Sequence, residues 1–281
     1  MLRWMIGIVA LAAANPAAAQ QSSTAPLDEP VISRCIAIAQ VTPGATYANL
    51  TPQMVPAAMR AGSRGGTVEI TYAGHSTYLI ETPAGVRIAT DFSGVYGGDF
   101  NPRIATMNKA HRTHFTLTPS PSIEYVLHGW GESGEPAKHG LQVEDVLVRN
   151  VTTDIRSWGG EGLERDANSI FIFEVADLCI GHLGHLHTKL SDQQFGKIGR
   201  LDILMVPVDG GLTQNIGSMS EVAKRLYSSI ILPMHRHSMS IGEFSALMGS
   251  DFAVHYQNSR SLRVSVDTLP NQPTIVLLDG V

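Results

Sequence analysis

The stretch FEVADLCIGHLGHLHTKLSDQQFGKIGRLDILMVPV, residues 173–208, shows the alternation of apolar and polar segments most clearly. Its apolar start predicts a buried strand, and residues 201–208 predict a second one. Between them, residues 191–199 predict a helix with Ser191 as the N-cap. The same alternation continues with helices predicted at 218–229, capped by Ser218 or Ser220, and at 241–249. Strand–helix alternation of this kind is typical of an α/β fold.

The segments before and after this stretch predict further strands. Short β-branched runs broken by Gly and Pro begin at Thr67 and recur as far as residue 181, and three more follow residue 251. Strands first, then strands alternating with helices, predict an α/β sandwich of two mixed sheets with helices outside. The chain has 281 residues, of which 43% are apolar, enough for a substantial core.

The N-terminal segment predicts export. Arg3 is followed by an apolar run and by small residues that end at Ala19, as in a secretory signal peptide. We therefore expect a signal peptide at 1–19, an extension at 20–65 and one domain at 66–281, located in the periplasm or secreted. In an oxidising compartment Cys35 and Cys179 are able to form a disulfide; two buried thiols are the simpler interpretation.

Charge and hydropathy restrict the partners. The formal net charge is −5 and no basic run occurs, which argues against nucleic acid as the main partner. No later stretch is long and apolar enough for a membrane span. We expect a small-molecule substrate, with an anionic one as an option, and the oligomeric state stays open.

Histidines are concentrated in three loops, each of which follows a predicted strand. Such loops collect active sites, and imidazole-rich sites suit zinc. The candidate metal ligands are His111, His114, His185 and His235. His187 and His237 are either hydrogen-bonding neighbours of ligands or surface residues, and His128, His139 and His255 are interpreted as ordinary solvated histidines.

Five segments in order, YAGHSTYLIET, GVRIATDFSG, HLGHLH, LDILMVPVDGG and ILPMH, resemble the metallo-β-lactamase superfamily, most closely its ascorbate-6-phosphate-lactonase-like branch. The resemblance covers residues 67–281 and implies an αββα sandwich with a hydrolytic metal site at one edge of the sheets. Laid on the first metal motif of that family, His-x-His-x-Asp-His, the chain has Lys109, His111, Thr113 and His114. His185 falls where the branch has a metal-bridging Asp, and His235 matches the last ligand.

Lys109 and Thr113, which replace a histidine and an aspartate of the family motif, affect the predicted chemistry of the site. Protonated Lys109 is a poor ligand, but it could hold an anionic substrate group, and Thr113 cannot act as a carboxylate base. Asp91 and Asp209 each end a strand and either orient an imidazole, supply the missing base or form a turn. The candidate catalytic residues are Asp209, Lys109 and His75, the last of which matches a family position near the site. With two motif positions altered, we expect one zinc ion rather than two.

The leading hypothesis is an exported metal-dependent hydrolase in which a metal-activated water attacks an ester, lactone, amide or phosphoester. The alternative is a non-catalytic metal- or ligand-binding protein of the same fold that has lost the hydrolytic base. The replacement of the family residues by Lys109 and Thr113 is what keeps this alternative open.

Overall fold

A computed structural model describes residues 33–36, 65–132, 135–157, 162–237 and 239–281. The predicted signal peptide, 1–19, lies outside the described residues, as does most of the predicted extension at 20–65. None of the helices in the described ranges is both long enough and apolar enough to span a membrane.

Six strands form the first sheet, in the order β13–β1–β2–β3–β4–β5. Their bounds are β1 Val68–Gly74, β2 Thr77–Glu81, β3 Arg87–Ala89, β4 Ile104–Met107, β5 Tyr125–His128 and β13 Ser261–Val264. Strands β1, β2 and β3 pair antiparallel, whereas β3, β4 and β5 pair parallel. The carboxyl ends of β1, β3, β4 and β5 therefore lie at one edge of this sheet.

Eight strands form the second sheet, in the order β12–β14–β11–β10–β9–β8–β7–β6. Their bounds are β6 Gly140–Val143, β7 Val146–Arg156, β8 Leu163–Val175, β9 Leu178–His182, β10 Ile203–Pro207, β11 Ile230–Met234, β12 Ala253–Tyr256 and β14 Thr274–Leu277. Strands β9, β10 and β11 pair parallel, so the three loops that follow them leave the sheet at the same edge.

Three α-helices follow strands of the second sheet: α1 Asp192–Ile198, α2 Ile216–Leu226 and α3 Ile241–Met248. Ser191 caps α1 with a reciprocal capping box, as predicted. The predicted N-cap of α2 was wrong, because Asn215 is the N-cap and Ser218 and Ser220 lie inside the helix. The helix begins two residues before its predicted start at 218. The sequence pattern misses this start because Ile216 and Gly217 precede the polar run that suggested a cap.

Two of the hydrophobic clusters within the described residues hold the layers together. Ile70 and Ile80 of the first sheet pack with Phe171, Met205 and Leu232 of the second, and all five are fully buried. A second cluster joins the outer face of the eight-stranded sheet to the helices, with members that include Ile198, Val206, Met219, Ile231 and Phe244. The predicted sandwich of two mixed sheets with helices outside is confirmed.

The described segment 33–36 is covalently tied to the eight-stranded sheet. Cys35 and Cys179 form a disulfide, so the interpretation as two buried thiols was wrong. Glu174 adds a second link, because its carboxylate accepts hydrogen bonds from Ser33 Oγ, from the backbone N–H of Arg34 and from Arg149 Nε. Sequence alone could not settle this pairing, since the cysteines are 144 residues apart and only the folded chain brings their Cα atoms to 5.9 Å.

Candidate metal centre

Loops from both sheets meet at one edge of the sandwich. From the first sheet come His75 in the β1–β2 turn and the histidines of the loop after β4. From the second sheet come His185 after β9, Asp209 after β10 and His235 after β11. A backbone hydrogen bond of 2.8 Å from the N–H of His235 to the carbonyl of His75 joins the two sheets at the centre of this edge.

Four histidines form the tightest group: His75, His111, His114 and His235 each offer a ring nitrogen, and these nitrogens all lie within 4.8 Å of one another. The Nε2 atoms of His111 and His235 are 3.4 Å apart. Two nitrogens on a single zinc ion would have about this spacing, because Zn–N bonds are about 2.0–2.1 Å. The sequence placed His111, His114 and His235 in this role and His75 beside it; the structure brings all four together.

Carboxylates fix two of these rings. Nδ1 of His114 lies 2.6 Å from Asp91 Oδ2, and Nδ1 of His235 lies 2.8 Å from Asp209 Oδ2. A carboxylate accepts, so in each ring Nδ1 carries the proton and Nε2 presents its lone pair. This is the usual arrangement behind a metal-ligating histidine. The contacts of Asp91 and Asp209 are therefore those of carboxylates that orient an imidazole.

Asp209 has no free oxygen to act as a base. Its Oδ1 accepts from the backbone N–H groups of Gly211 and Thr213, and its Oδ2 accepts from Thr213 Oγ1 as well as from His235. Burial by itself would raise the pKa of Asp209, but these hydrogen bonds hold it below its usual range. The carboxylate stays ionised and stabilises the ring that it holds.

The backbone is strained where it presents these groups. His75, Asp91 and His235 have φ angles of 55°, 43° and 51°, in the left-handed region that residues with a side chain rarely adopt. Such conformations cost roughly 1–3 kcal/mol each and cluster at functional sites. Three of them around one group of imidazoles indicate that the fold maintains this geometry at the expense of stability.

A buried amide, Asn108, supports Asp91 from behind. Its Nδ2 donates to Asp91 Oδ1 at 2.8 Å, and its Oδ1 accepts from the backbone N–H of Ser169 at 2.7 Å. Gly129 and Gly184 make room for it, since a Cβ at either position would lie 2.2 Å and 2.4 Å from its amide atoms. Asn108 was not among the residues predicted from the sequence. Its position directly before the histidine loop could have indicated a supporting role.

The loop after β9 holds its histidines differently. Nδ1 of His185 lies 2.8 Å from Nε2 of His187, whose own Nδ1 accepts from the backbone N–H of Arg156. His182 is fully buried and fully partnered: its Nδ1 accepts from the backbone N–H of Gly184 and its Nε2 donates to the carbonyl of Ser76. The ring of His185 lies beside those of His111, His114 and His235, but it is not one of the four rings whose nitrogens lie within 4.8 Å of one another. Both ring nitrogens of His182 are engaged with the backbone.

The electrostatics favour a bound cation. Burial, reinforced by the neighbouring imidazoles, lowers the pKa of His75 to about 3 and that of His111 to about 4, and it lowers the pKa of His185 well below its ordinary value. These rings are therefore neutral at pH 7 and able to ligate. Nε2 of His75 and of His114 is buried with no hydrogen-bond partner in the described ranges. Buried unpaired nitrogens with free lone pairs fit a transition metal.

Lys109 and Thr113 occupy the two altered motif positions. Lys109 is half exposed and its ammonium forms an ion pair with Glu164 on the β7–β8 hairpin. Thr113 Oγ1 lies 2.7 Å from Nδ1 of His111, the place that Asp91 and Asp209 take at the other two rings. His111 thus has a hydroxyl partner where His114 and His235 have carboxylates.

The family follows from the sequence and the fold together. The Beta-lactamase superfamily domain matches residues 69–235, more than half of the chain, and the chain belongs to this superfamily. The fold is similar to that of a candidate Zn-dependent hydrolase of the metallo-beta-lactamase superfamily from Thermotoga maritima, with a TM-score of 0.53 and 23% identity over 75% of this chain and 98% of that chain.

A second similar structure is a candidate metal-dependent hydrolase from Parabacteroides distasonis, with a TM-score of 0.50 and 16% identity over 65% of this chain and 89% of that chain. At these identities the likeness establishes the metallo-β-lactamase-like fold alone. No curated protein matches the sequence.

Proposed function

We propose that the protein is a metal-dependent hydrolase with zinc as its metal and His75, His111, His114 and His235 as the ligands. The observation that carries this proposal is the group of four imidazoles, two of them oriented by buried carboxylates, at the shared edge of the two sheets. Bound zinc would supply Lewis acidity for the hydrolysis of an ester, lactone, amide or phosphoester; with four protein ligands it would have to accept the substrate or water as a fifth ligand. One ion fits four convergent nitrogens better than two do.

The chain's own residues perform the remaining work. Asp91 and Asp209 hold their imidazoles in the ligating tautomer, and Asn108 fixes Asp91. Lys109, which extends from the same loop as His111, is proposed to bind an anionic group of a small-molecule substrate once its pairing with Glu164 exchanges. The ascorbate-6-phosphate-lactonase-like branch, which the sequence resembles, is the proposed subgroup.

Export to an oxidising compartment is part of the proposal. The disulfide between Cys35 and Cys179 supports it, because such bonds persist in the periplasm or outside the cell and are rare in the cytosol. Mass spectrometry of the exported protein tests it: a mature chain beginning near Gln20 is expected, and a soluble product that retains residues 1–19 would contradict it.

A non-catalytic metal- or ligand-binding role is the second candidate. It is favoured by the full occupation of Asp209 and by Thr113, which leave the site without a free carboxylate base. The deciding experiment is metal analysis of the purified mature protein beside a panel of chromogenic esters, lactones and phosphodiesters. Hydrolysis that is abolished by a chelator and restored by zinc supports the hydrolase; stoichiometric zinc with no turnover supports the second candidate.

A further inference from the structure

His187 has ring nitrogens whose hydrogen-bonding roles are fixed by its neighbours. Its Nδ1 lies 2.7 Å from the backbone nitrogen of Arg156. A backbone N–H can only donate, so this Nδ1 accepts and carries no proton. An imidazole keeps at least one N–H, which must then be on Nε2. The backbone of Leu212 also hydrogen-bonds to this ring.

The position of the proton on His187 determines its position on His185. Nε2 of His187 lies 2.8 Å from Nδ1 of His185, and because Nε2 carries the proton, it is the donor of this bond. Nδ1 of His185 accepts and is unprotonated, so the proton of His185 is on Nε2. A ring nitrogen that carries a proton has no lone pair to give to a metal ion.

This protonated nitrogen is buried in the metal centre. His185 is 4% exposed, and its Nε2 has no hydrogen-bond partner within the part of the chain that the structure describes. Its ring centroid lies 4.8 Å from those of His114 and His235 and 5.0 Å from that of His111. An unsatisfied buried donor costs stability, and a ligand oxygen that accepts from it would remove that cost.

We infer that His185 is a hydrogen-bond donor to the bound substrate and not a metal ligand. The identity of its acceptor rests on the proposed function: in a hydrolase it is the carbonyl or phosphoryl oxygen on which negative charge develops. A fixed donor aimed at that oxygen favours the transition state over the ground state. His185 stands where the resemblance puts a metal-bridging Asp, so this chain has replaced a carboxylate acceptor by an N–H donor.

The tautomers give a direct test that needs neither metal nor substrate. Long-range ¹H–¹⁵N correlation spectra of metal-free protein labelled at histidine distinguish Nδ1–H from Nε2–H rings. We expect His185 as Nε2–H and His114 and His235 as Nδ1–H. A His185 ring protonated on Nδ1 would overturn the inference.

Zinc binding gives the second test. His185→Ala should keep zinc affinity within about threefold of the parent, since it removes no ligand, whereas His235→Ala should lose more than about 100-fold. The exposed His255→Ala is the matched control and should change nothing. Equal zinc loss in His185→Ala and His235→Ala would overturn the inference.

Measurements of turnover distinguish a failure of the role assigned to His185 from a failure of the proposed function. On a substrate that the parent hydrolyses, His185→Ala should lower kcat about 100- to 1000-fold, the usual effect of deleting such a donor, with little change in KM. An unchanged kcat in His185→Ala would show that His185 does not act as a donor to the substrate. If the parent hydrolyses nothing, the proposed function fails, while the tautomer and the zinc content still decide whether His185 is a donor or a ligand.

Discussion

The two histidine loops of the eight-stranded sheet contrast in what stands behind their imidazoles. After β11, His235 has a carboxylate on Nδ1 and turns a lone pair toward the centre. After β9, His185 has the N–H of another imidazole on Nδ1 and turns a proton toward the same centre. Both rings are buried and their centroids are 4.8 Å apart. The partner on the far nitrogen, rather than the position of the ring, decides what each histidine offers.

The first sheet repeats this contrast in a weaker form. His114 has the carboxylate of Asp91 behind it, whereas His111 has the hydroxyl of Thr113. The rings of the centre therefore differ in their partners: His114 and His235 have a carboxylate on Nδ1, whereas His111 has a hydroxyl. Replacing a ring or its hydrogen-bonding partner therefore tests this contrast.

The largest effect is expected from the removal of a carboxylate-held ring. His235→Ala should weaken zinc binding by more than about 100-fold, because loss of a ligand exceeds the roughly 10- to 100-fold cost of losing a supporting residue. His237→Ala, two residues further along the same loop, is the matched control and should stay within about 10-fold. Competition with a chromophoric chelator measures both. A larger loss in His237→Ala would assign the wrong histidine of this loop.

A smaller effect is expected from neutralising the partner. Asp209→Asn keeps an oxygen that is able to accept from Nδ1 of His235 but removes its charge, so zinc affinity should fall about 10- to 100-fold. With that oxygen in the place of Oδ2, the amide loses the hydrogen bonds that Oδ1 of Asp209 accepts from the backbone N–H groups of Gly211 and Thr213. The same chelator competition applies, with a thermal melt of the metal-free protein to confirm folding. Unaltered affinity would mean that the carboxylate does not tune His235.

A gain is expected when His111 receives the partner it lacks. Thr113→Asp places a carboxylate beside Nδ1 of His111, and zinc affinity should rise by roughly 10-fold. Thr113→Asn, of similar size and uncharged, is the control and should show less gain. Elemental analysis checks the stoichiometry at the same time, because two zinc ions per chain in Thr113→Asp would show that the restored motif recruits a second metal.

The stability of the metal-free protein is expected to depend on pH. Burial lowers the pKa of His75 from 6.5 to about 3 and that of His111 to about 4. Between pH 6.5 and these values the unfolded chain binds more protons than the folded one, so stability is fully present above pH 6.5 and falls as the pH drops. Urea midpoints measured from pH 7.5 to about pH 5 should decline, and His75→Ala should reduce that decline. A flat profile would contradict the burial of neutral rings.

The architecture and most members of the metal centre could be predicted from local sequence patterns. Strand-like runs followed by strand–helix alternation predicted the sandwich, and histidines in loops after strands predicted a metal site. Both follow from local properties: hydrophobic periodicity reports which face is buried, and parallel strands bring their following loops to one edge. The N-cap Ser191 was predicted from its local pattern for the same reason.

The hydrogen-bonding role of each histidine could not be predicted from the sequence. The sequence grouped His185 with the ligands and kept His75 apart as a catalytic candidate, whereas the four nitrogens within 4.8 Å of one another include His75. The roles depend on Asp91, Asp209 and the backbone of Arg156, which reach the rings from 23, 26 and 31 residues away. A hydrogen bond over such separations exists only in the folded chain, so the proton on each ring is fixed by the assembled sheets.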